Sequence, residues 1–368
     1  MTTIKLFTVQ GIEVKMHITF PLILVLAAAQ FGYLNEKAFS LSGAVFGTVI
    51  TLLLFVCVVI HELAHSLTST RLGFPVRDIV LLPLGGVSQI ERMPEGPAQE
   101  FLLAIAGPMS NVIIAGVLIA VGLLLGMNIN LRLDVANLAW KDTFPYLIVT
   151  NLWLAAFNLI PAFPMDGGRV LRALLASVMP YARATALAAR IGQSLSWGLG
   201  LIGLLINNPL WILIAIFIYF GATQEGRVAQ IRSVLQDLRV RQAFSRDVLF
   251  LSPDDPVSRA ADLTLESFQA DFPVCEEGCL VGLLTHADVI RALKQRQPEA
   301  SVRTVMQKEF PILGLSDGLF EAHRQMTKAG LDALPVMDGE QFLGLLTRRD
   351  VSEVYQLLSV SQDYRGKG

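Results

Sequence analysis

Charge is scarce in this chain and unevenly placed. Only 16% of its 368 residues are Asp, Glu, Lys or Arg; residues 1–224 hold 22 of these and residues 225–368 hold 38. None lies between Lys37 and Glu62. Cysteine is nearly absent too: three in the whole chain exclude a disulfide framework. The net charge of −2 gives no hint of nucleic-acid binding. No cleavable signal peptide is expected, because the first apolar run starts near Met16 and lacks a small-residue cleavage site. What remains is an apolar first half followed by a charged second half. That is the composition of a membrane domain, residues 1–224, joined to a soluble one.

Apolar segments suggest about six helical spans, near 16–34, 41–65, 101–126, 143–160, 187–206 and 209–222. Crossing a bilayer takes about 20 apolar residues. Asn207-Asn208-Pro209 breaks the last run into a helical hairpin. Even numbering puts both termini on one side, and short-loop Lys and Arg decide which. Lys5, Lys15, Arg71, Arg77, Arg92, Arg169, Arg172 and Arg183 fall on the side of the termini, against Lys37, Arg132 and Lys141 opposite. Both termini and the soluble domain are therefore expected in the cytosol, in a multi-pass protein of a prokaryotic inner membrane.

Against this apolar background, residues 57–65 read C-V-V-I-H-E-L-A-H. His61 and His65, four apart, share one helical face. That spacing suits two ligands of a tetrahedral Zn²⁺, and Glu62 beside them is the residue type that takes a proton from attacking water. Ionisable groups in spanning helices are costly and usually functional. Cys57 sits one turn earlier, where a fourth ligand would close the site, so it is read as buried packing. A catalytic zinc needs a third protein ligand. In N-L-I-P-A-F-P-M-D-G-G-R (158–169), Asp166 is the only acid between Asp142 and Glu225. Pro161 and Pro164 hinder continuous helix, and Gly167-Gly168 permits a tight turn. Asp166 could reach the metal or could instead cap the following helix; spacing alone does not choose.

The pieces H-E-L-A-H (61–65), A-G-P-M-S-N (106–111) and F-N-L-I-P-A-F-P-M-D-G-G-R-V-L-R (157–172) resemble the site-2 protease family of intramembrane zinc metalloproteases. The likeness is to the prokaryotic branch with C-terminal cystathionine-β-synthase (CBS) domains. It implies that His61, His65 and Asp166 bind one Zn²⁺ per chain, that Glu62 is the general base, and that Asn158 hydrogen-bonds the oxyanion. P-M-D-G stands where other branches have N-P-D-G, keeping Asp and Gly. The implied activity is cleavage of transmembrane segments of membrane-protein substrates.

Two β-prone stretches in residues 77–92, around Pro83-Leu84-Gly85-Gly86, predict a hairpin. The resemblance implies that it lies near the active site and could take up an extended substrate by strand addition. Gly107 and Ser110 allow close helix approach. Asn111, in an apolar span, needs a polar partner; packing with an indirect positioning role is its expected use. His17 is read as interfacial or packing.

The soluble half repeats at an offset of 62. F-P-V (272–274) recurs as L-P-V (334–336), and G-L-L-T-H-A-D-V (282–289) as G-L-L-T-R-R-D-V (344–351). Each copy predicts strand, turn, strand, then a helix capped by Thr-x-x-Asp. This resembles a tandem CBS (Bateman) module over 244–360, with copies near 244–297 and 298–358. The resemblance makes Thr285, Asp288, Thr347 and Asp350 candidate contacts for ATP, ADP or AMP, and implies homodimers; helix capping is the simpler role. Cys275 and Cys279 are a poor zinc site. Residues 225–243 carry Val228, Ile231, Val234, Leu235 and Leu238 at helical spacing and read as an amphipathic connector.

A CBS-gated transporter or channel is the alternative. It would spread polar groups along several spans at the midplane, whereas here they gather at one end.

Overall fold

The computed structural model describes residues 3–33, 39–83, 85–90, 96–127, 129–131, 140–267 and 269–365. Lys37, Leu84, Glu91, Arg92 and Arg132, used above for topology and the hairpin, lie outside them. The chain forms two units, Met1–Arg227 and Val228–Gly368.

In the first unit, strands β1 (Thr3–Val9), β2 (Ile12–His17), β3 (Val76–Leu82) and β4 (Gly85–Ile90) form one sheet in the order β1-β2-β3-β4. The expected 77–92 hairpin is the antiparallel pair β3–β4. The β1–β2 hairpin is an addition to the sequence reading. Its turn, Gln10-Gly11, has φ of 48° and 87°, the two positive values that a type I′ hairpin turn requires. Ile12, Val14, Ile79 and Leu81 bury their side chains together with Phe20, against partly buried Phe55, Val59 and Leu63 of the helix that spans Leu41–Arg71.

The helices of this unit are α1 (Pro21–Gly32), α2 (Leu41–Arg71), α3 (Pro97–Leu124), α4 (Thr143–Asn158), α5 (Asp166–Ala176), α6 (Tyr181–Leu205) and α7 (Pro209–Leu235). Ser40 caps α2 by accepting from the Gly43 N–H. Among the described residues α2, α3 and α7 are long and apolar enough to cross a membrane. The other expected spans differ for visible reasons. α1 has 12 residues, because the start of that apolar stretch, Met16 and His17, ends strand β2 and residues 18–20 turn; at 1.5 Å per residue it rises about 18 Å. α4 has 16 residues, and α6 carries Arg183 and Arg190 in its first half. α7 does not stop near residue 222 but continues to Leu235.

The second unit contains α8 (Val257–Ser267), β5 (Phe272–Glu276), β6 (Cys279–Leu284), α9 (His286–Lys294), α10 (Val302–Val305), β7 (Leu313–Gly314), α11 (Leu319–Ala329), β8 (Ala333–Asp338), β9 (Gln341–Thr347) and α12 (Arg348–Arg365). The repeat is structural. β5–β6 and β8–β9 are antiparallel pairs with a register shift at Val274/Cys275 and at Val336/Met337, again 62 apart. Leu251 bridges Val274 in parallel, as Leu313 does Val336. Val234 and Leu235 at the end of α7 are buried with Leu283, Leu313, Leu334 and Leu345, and Ile231 and Leu238 pack against them. That part of the amphipathic connector therefore belongs to the core of this unit. Val228 is exposed.

Candidate metal centre

The three buried donors of the first unit come from two elements. α2 brings His61 and His65 to one face, and α5 begins with Asp166. The His61 and His65 Nε2 atoms are 3.1 Å apart, and Asp166 Oδ2 lies 3.1 Å from His65 Nε2 and 3.4 Å from His61 Nε2. All three residues are buried. Asp166 does not cap α5: the cap position is Met165, with no side-chain cap bond. The carboxylate is directed at the histidines instead. Gly167 and Gly168 belong to the first turn of α5 rather than to a loop turn. Their role is close approach: a Cβ on Gly168 would lie 2.6 Å from the Phe163 nitrogen, and one on Gly167 would meet the Leu159 and Ile160 carbonyls.

The orientation of both rings decides what they offer. His61 Nδ1 is 2.6 Å from Asn111 Oδ1, and His65 Nδ1 is 2.8 Å from the Leu103 carbonyl. Both partners are acceptors, so each Nδ1 carries the hydrogen. Each Nε2 of the neutral ring is then a bare lone pair facing its neighbour and a carboxylate oxygen. Three lone pairs this close repel one another unless a cation lies among them. Ligands about 2.0–2.1 Å from a tetrahedral zinc are about 3.3–3.4 Å apart. The observed edges fit that ion, and the two-imidazole, one-carboxylate set is a zinc donor set.

Glu62 is half-buried on the next position of α2. Ser88 of β4 donates to its Oε2 at 2.5 Å, and Ser66 donates to Ser88 at 3.1 Å. A cavity of about 470 Å³ is lined by His61, Glu62, Gly85, Gly86, Asn111 and Asn158, among others. Asn158 ends α4 and so stands in the same cavity as Glu62. Gly107 of α3 is packed onto the donors: a Cβ there would collide with the Nε2 atoms of both histidines. Arg172 ties the scaffold together. Its Nε donates to Glu100 of α3 at 2.6 Å and its Nη1 to Glu225 of α7 at 3.0 Å. Its guanidinium stacks on Phe163, in the segment that leads to Asp166.

Three residues here were not singled out in the sequence. Ser88 and Arg172 carry no local signal. Asn151 does: it is an amide inside the apolar α4, and such a group must find a partner. Asn111 has found one in His61, and Asn151 is the next link. Cys57 is buried and accepts from Asn151 Nδ2 at 3.4 Å.

In the second unit the four candidate nucleotide contacts form two Thr–Asp pairs. Thr285 Oγ1 donates to Asp288 Oδ2 at 2.6 Å and accepts from the Asp288 N–H, capping α9. Asp288 also accepts from Arg291 and Gln307. Thr347 Oγ1 donates to Asp350 Oδ2 at 2.7 Å, and Ser245 donates to Asp350 Oδ1. These bonds are the capping role.

The profile of peptidase family M50 matches residues 49–199, and that of the CBS domain matches 240–295 and 302–356. A zinc metalloprotease of Methanocaldococcus jannaschii is 34% identical over 367 residues, covering 99% of each chain. A Synechocystis sp. protein provisionally named a zinc metalloprotease is 27% identical over 378 residues, 96% of this chain and 95% of that one. A solved site-2 protease from Methanocaldococcus jannaschii is 41% identical, covers 61% of this chain and 96% of its own, and has a TM-score of 0.44. The chain belongs to peptidase family M50, the site-2 proteases, and carries a tandem CBS pair. It is a membrane-embedded zinc metalloendopeptidase that acts by intramembrane proteolysis, and the transporter alternative is set aside.

Proposed function

We propose that His61, His65 and Asp166 hold the zinc ion and that Glu62 and Asn158 act on the scissile peptide beside it. The observation that carries this reading is the triangle of bare donor atoms, 3.1–3.4 Å on edge, whose ring orientations are fixed from behind. A bound Zn²⁺ supplies Lewis-acid polarisation of water and of a carbonyl oxygen. Glu62, held by Ser88, accepts the proton of the attacking water and passes it to the leaving amine. The Asn158 amide donates to the oxyanion.

The substrate is a transmembrane segment of another protein. A helical carbonyl is already hydrogen-bonded, so the segment must be unwound at the cleavage point. β4 is the outermost strand of its sheet, and its Gly85, Gly86 and Val87 line the cavity. An extended substrate strand added to β4 would pass beside Glu62. The chain is read as crossing an inner membrane six times with both termini cytosolic. The shorter α1 and α4, the arginine-bearing α6, and α2, α3 and α7 supply the crossings. The CBS pair is read as a dimerising module that responds to an adenine nucleotide through Thr285, Asp288, Thr347 and Asp350.

Purified protein in detergent, incubated with an unstructured test protein, should cleave it. A zinc chelator should stop cleavage, and added zinc should restore it. Cleavage that persists in chelator would overturn the reading.

A further inference from the structure

We propose that Asn151 is a positioning residue of the metal centre. Acting through Asn111, it fixes which ring nitrogen of His61 is free to bind. This rests on the ligand assignment above.

The orientation of each group in the chain is forced by a partner that can only accept. Asn151 lies on α4 and is fully buried. One end of its amide faces the Leu147 carbonyl at 2.8 Å, so that end is the NH₂. The other end, Oδ1, faces Asn111 at 3.1 Å. An amide oxygen only accepts, so Asn111 must turn its NH₂ toward Asn151. Asn111 Oδ1 then faces His61 Nδ1 at 2.6 Å, and Nδ1 must carry the hydrogen. The lone pair is left on Nε2, the atom directed at His65 and Asp166. The direction of an amide in α4 thus sets a tautomer in α2, with α3 between them.

The two histidines differ in how securely this is done. His65 is held by the backbone carbonyl of Leu103, an acceptor that no side-chain change removes. His61 is held by an amide, and an amide can rotate by half a turn. Without Asn151 nothing prevents Asn111 from presenting its NH₂ to His61. The ring must then move its hydrogen to Nε2, into the donor cluster, and the metal loses a ligand. Cys57, one turn before His61, accepts from the second hydrogen of the Asn151 amide, which helps hold the amide against rotation.

The full-length protein in detergent tests this through zinc affinity, measured by chelator competition, with thermal unfolding of the metal-free protein as a separate readout. Asn151→Leu, similar in size, should weaken zinc binding by about 10- to 100-fold. The double variant Asn151→Leu with Asn111→Asp should recover most of that loss, because a carboxylate accepts from His61 whichever way it turns. A purely structural role for Asn151 would lower the unfolding temperature, and a second buried change would only make matters worse. Wild-type affinity in Asn151→Leu overturns the proposal, and so does failure of Asn111→Asp to rescue. Should Asn151→Leu not fold, Asn151→Ser, whose hydroxyl is too short to reach Asn111, carries the same two expectations. Wild-type protein that binds no zinc, or His61→Ala that binds it as tightly, would overturn the ligand assignment and this inference with it. Normal wild-type binding with an unaffected Asn151 variant would overturn this inference alone.

Discussion

Replacing Gly107 by alanine sets helix preference against the metal site. In a helix interior Ala is favoured over Gly by about 1 kcal/mol, so by propensity the change should stabilise α3. The structure predicts the opposite for function. A Cβ on Gly107 would lie 2.6 Å from His61 Nε2 and 2.7 Å from His61 Cε1, and it would collide more severely with His65 Nε2. Ordinary contact begins near 3.4 Å, so the rings or the helix must give way by about 0.8 Å or more. Ligand distances in a working metal site are held to about 0.2 Å. The rings cannot simply retreat, because each Nδ1 is anchored at 2.6 or 2.8 Å. Gly107→Ala should therefore weaken zinc binding by at least about 100-fold, roughly 2.7 kcal/mol. The metal-free protein should lose at most about 2 kcal/mol, since overpacking of 1–3 kcal/mol is partly offset by the helix gain. Elemental analysis after dialysis against a weak chelator reads the first quantity, and thermal unfolding the second. Gly86→Ala is the companion. Its Cβ would lie 2.5 Å from Glu62 Cγ and away from the histidines, so zinc should stay stoichiometric while cleavage falls. A Gly107→Ala protein with full zinc and wild-type cleavage would refute the reasoning.

Glu62→Gln should retain zinc and lose cleavage by about 10²-fold or more, read by elemental analysis and a gel-based cleavage assay on one preparation. Asp166→Ala should lose zinc without the signature of a lost helix cap, because its carboxylate makes no cap bond; metal analysis with full occupancy would refute ligation. In the second unit, burial and the nearby Arg348 hold the His323 imidazole below its usual 6.5. The unfolded chain takes up that proton more readily, so stability should fall as pH drops from about 6.5 toward the lowered native value. His323→Leu should flatten that part of the unfolding-temperature profile. Calorimetry with ATP, ADP and AMP should detect binding to the full chain, and cleavage measured with each should change by about tenfold if binding is coupled to the active site; no binding at millimolar nucleotide would leave Thr285 and Thr347 as helix caps.

Local pattern explains most of what could be read of the fold beforehand. The CBS repeat announced itself because identical short strings recur 62 residues apart, and even the bulge at Val274/Cys275 returns at Val336/Met337. The β3–β4 hairpin was visible from its glycines. The β1–β2 hairpin was not, although Ile12-Glu13-Val14-Lys15-Met16 alternates cleanly. That alternation runs straight into the apolar stretch after Met16, and β2 is completed by parallel pairing with β3, over 60 residues away. No local window contains that partner. The lengths of α1 and α7 were missed for a related reason. Hydropathy marks where a chain is apolar, whereas a strand partner claims the start of the first element and a buried stripe carries the last one on to Leu235.

The candidate centre divides along the same line. His61, Glu62 and His65 were legible because a helix converts a spacing of four into a shared face. Asp166 was half-legible: its sequence allowed a cap as well as a ligand, and the fold puts Met165 at the cap with Asp166 Oδ2 facing the two histidines. Asn111 could be marked as needing a partner but not given one, since His61 is 50 residues away. Ser88, Gly107 and Asn151 act on the centre entirely across the chain. For the first two, the amino-acid type alone says nothing: one is an ordinary strand serine, the other a glycine of the kind any tight helix crossing uses. Asn151 is different in kind. A lone amide in an apolar helix costs about 1–3 kcal/mol if left unpaired, so the sequence does state that something must satisfy it. What the sequence withholds is the direction of the bond. That direction, passed from the Leu147 carbonyl through two amides to an imidazole, leaves the His61 lone pair facing the other two donors, and it becomes readable only when α2, α3 and α4 are brought together.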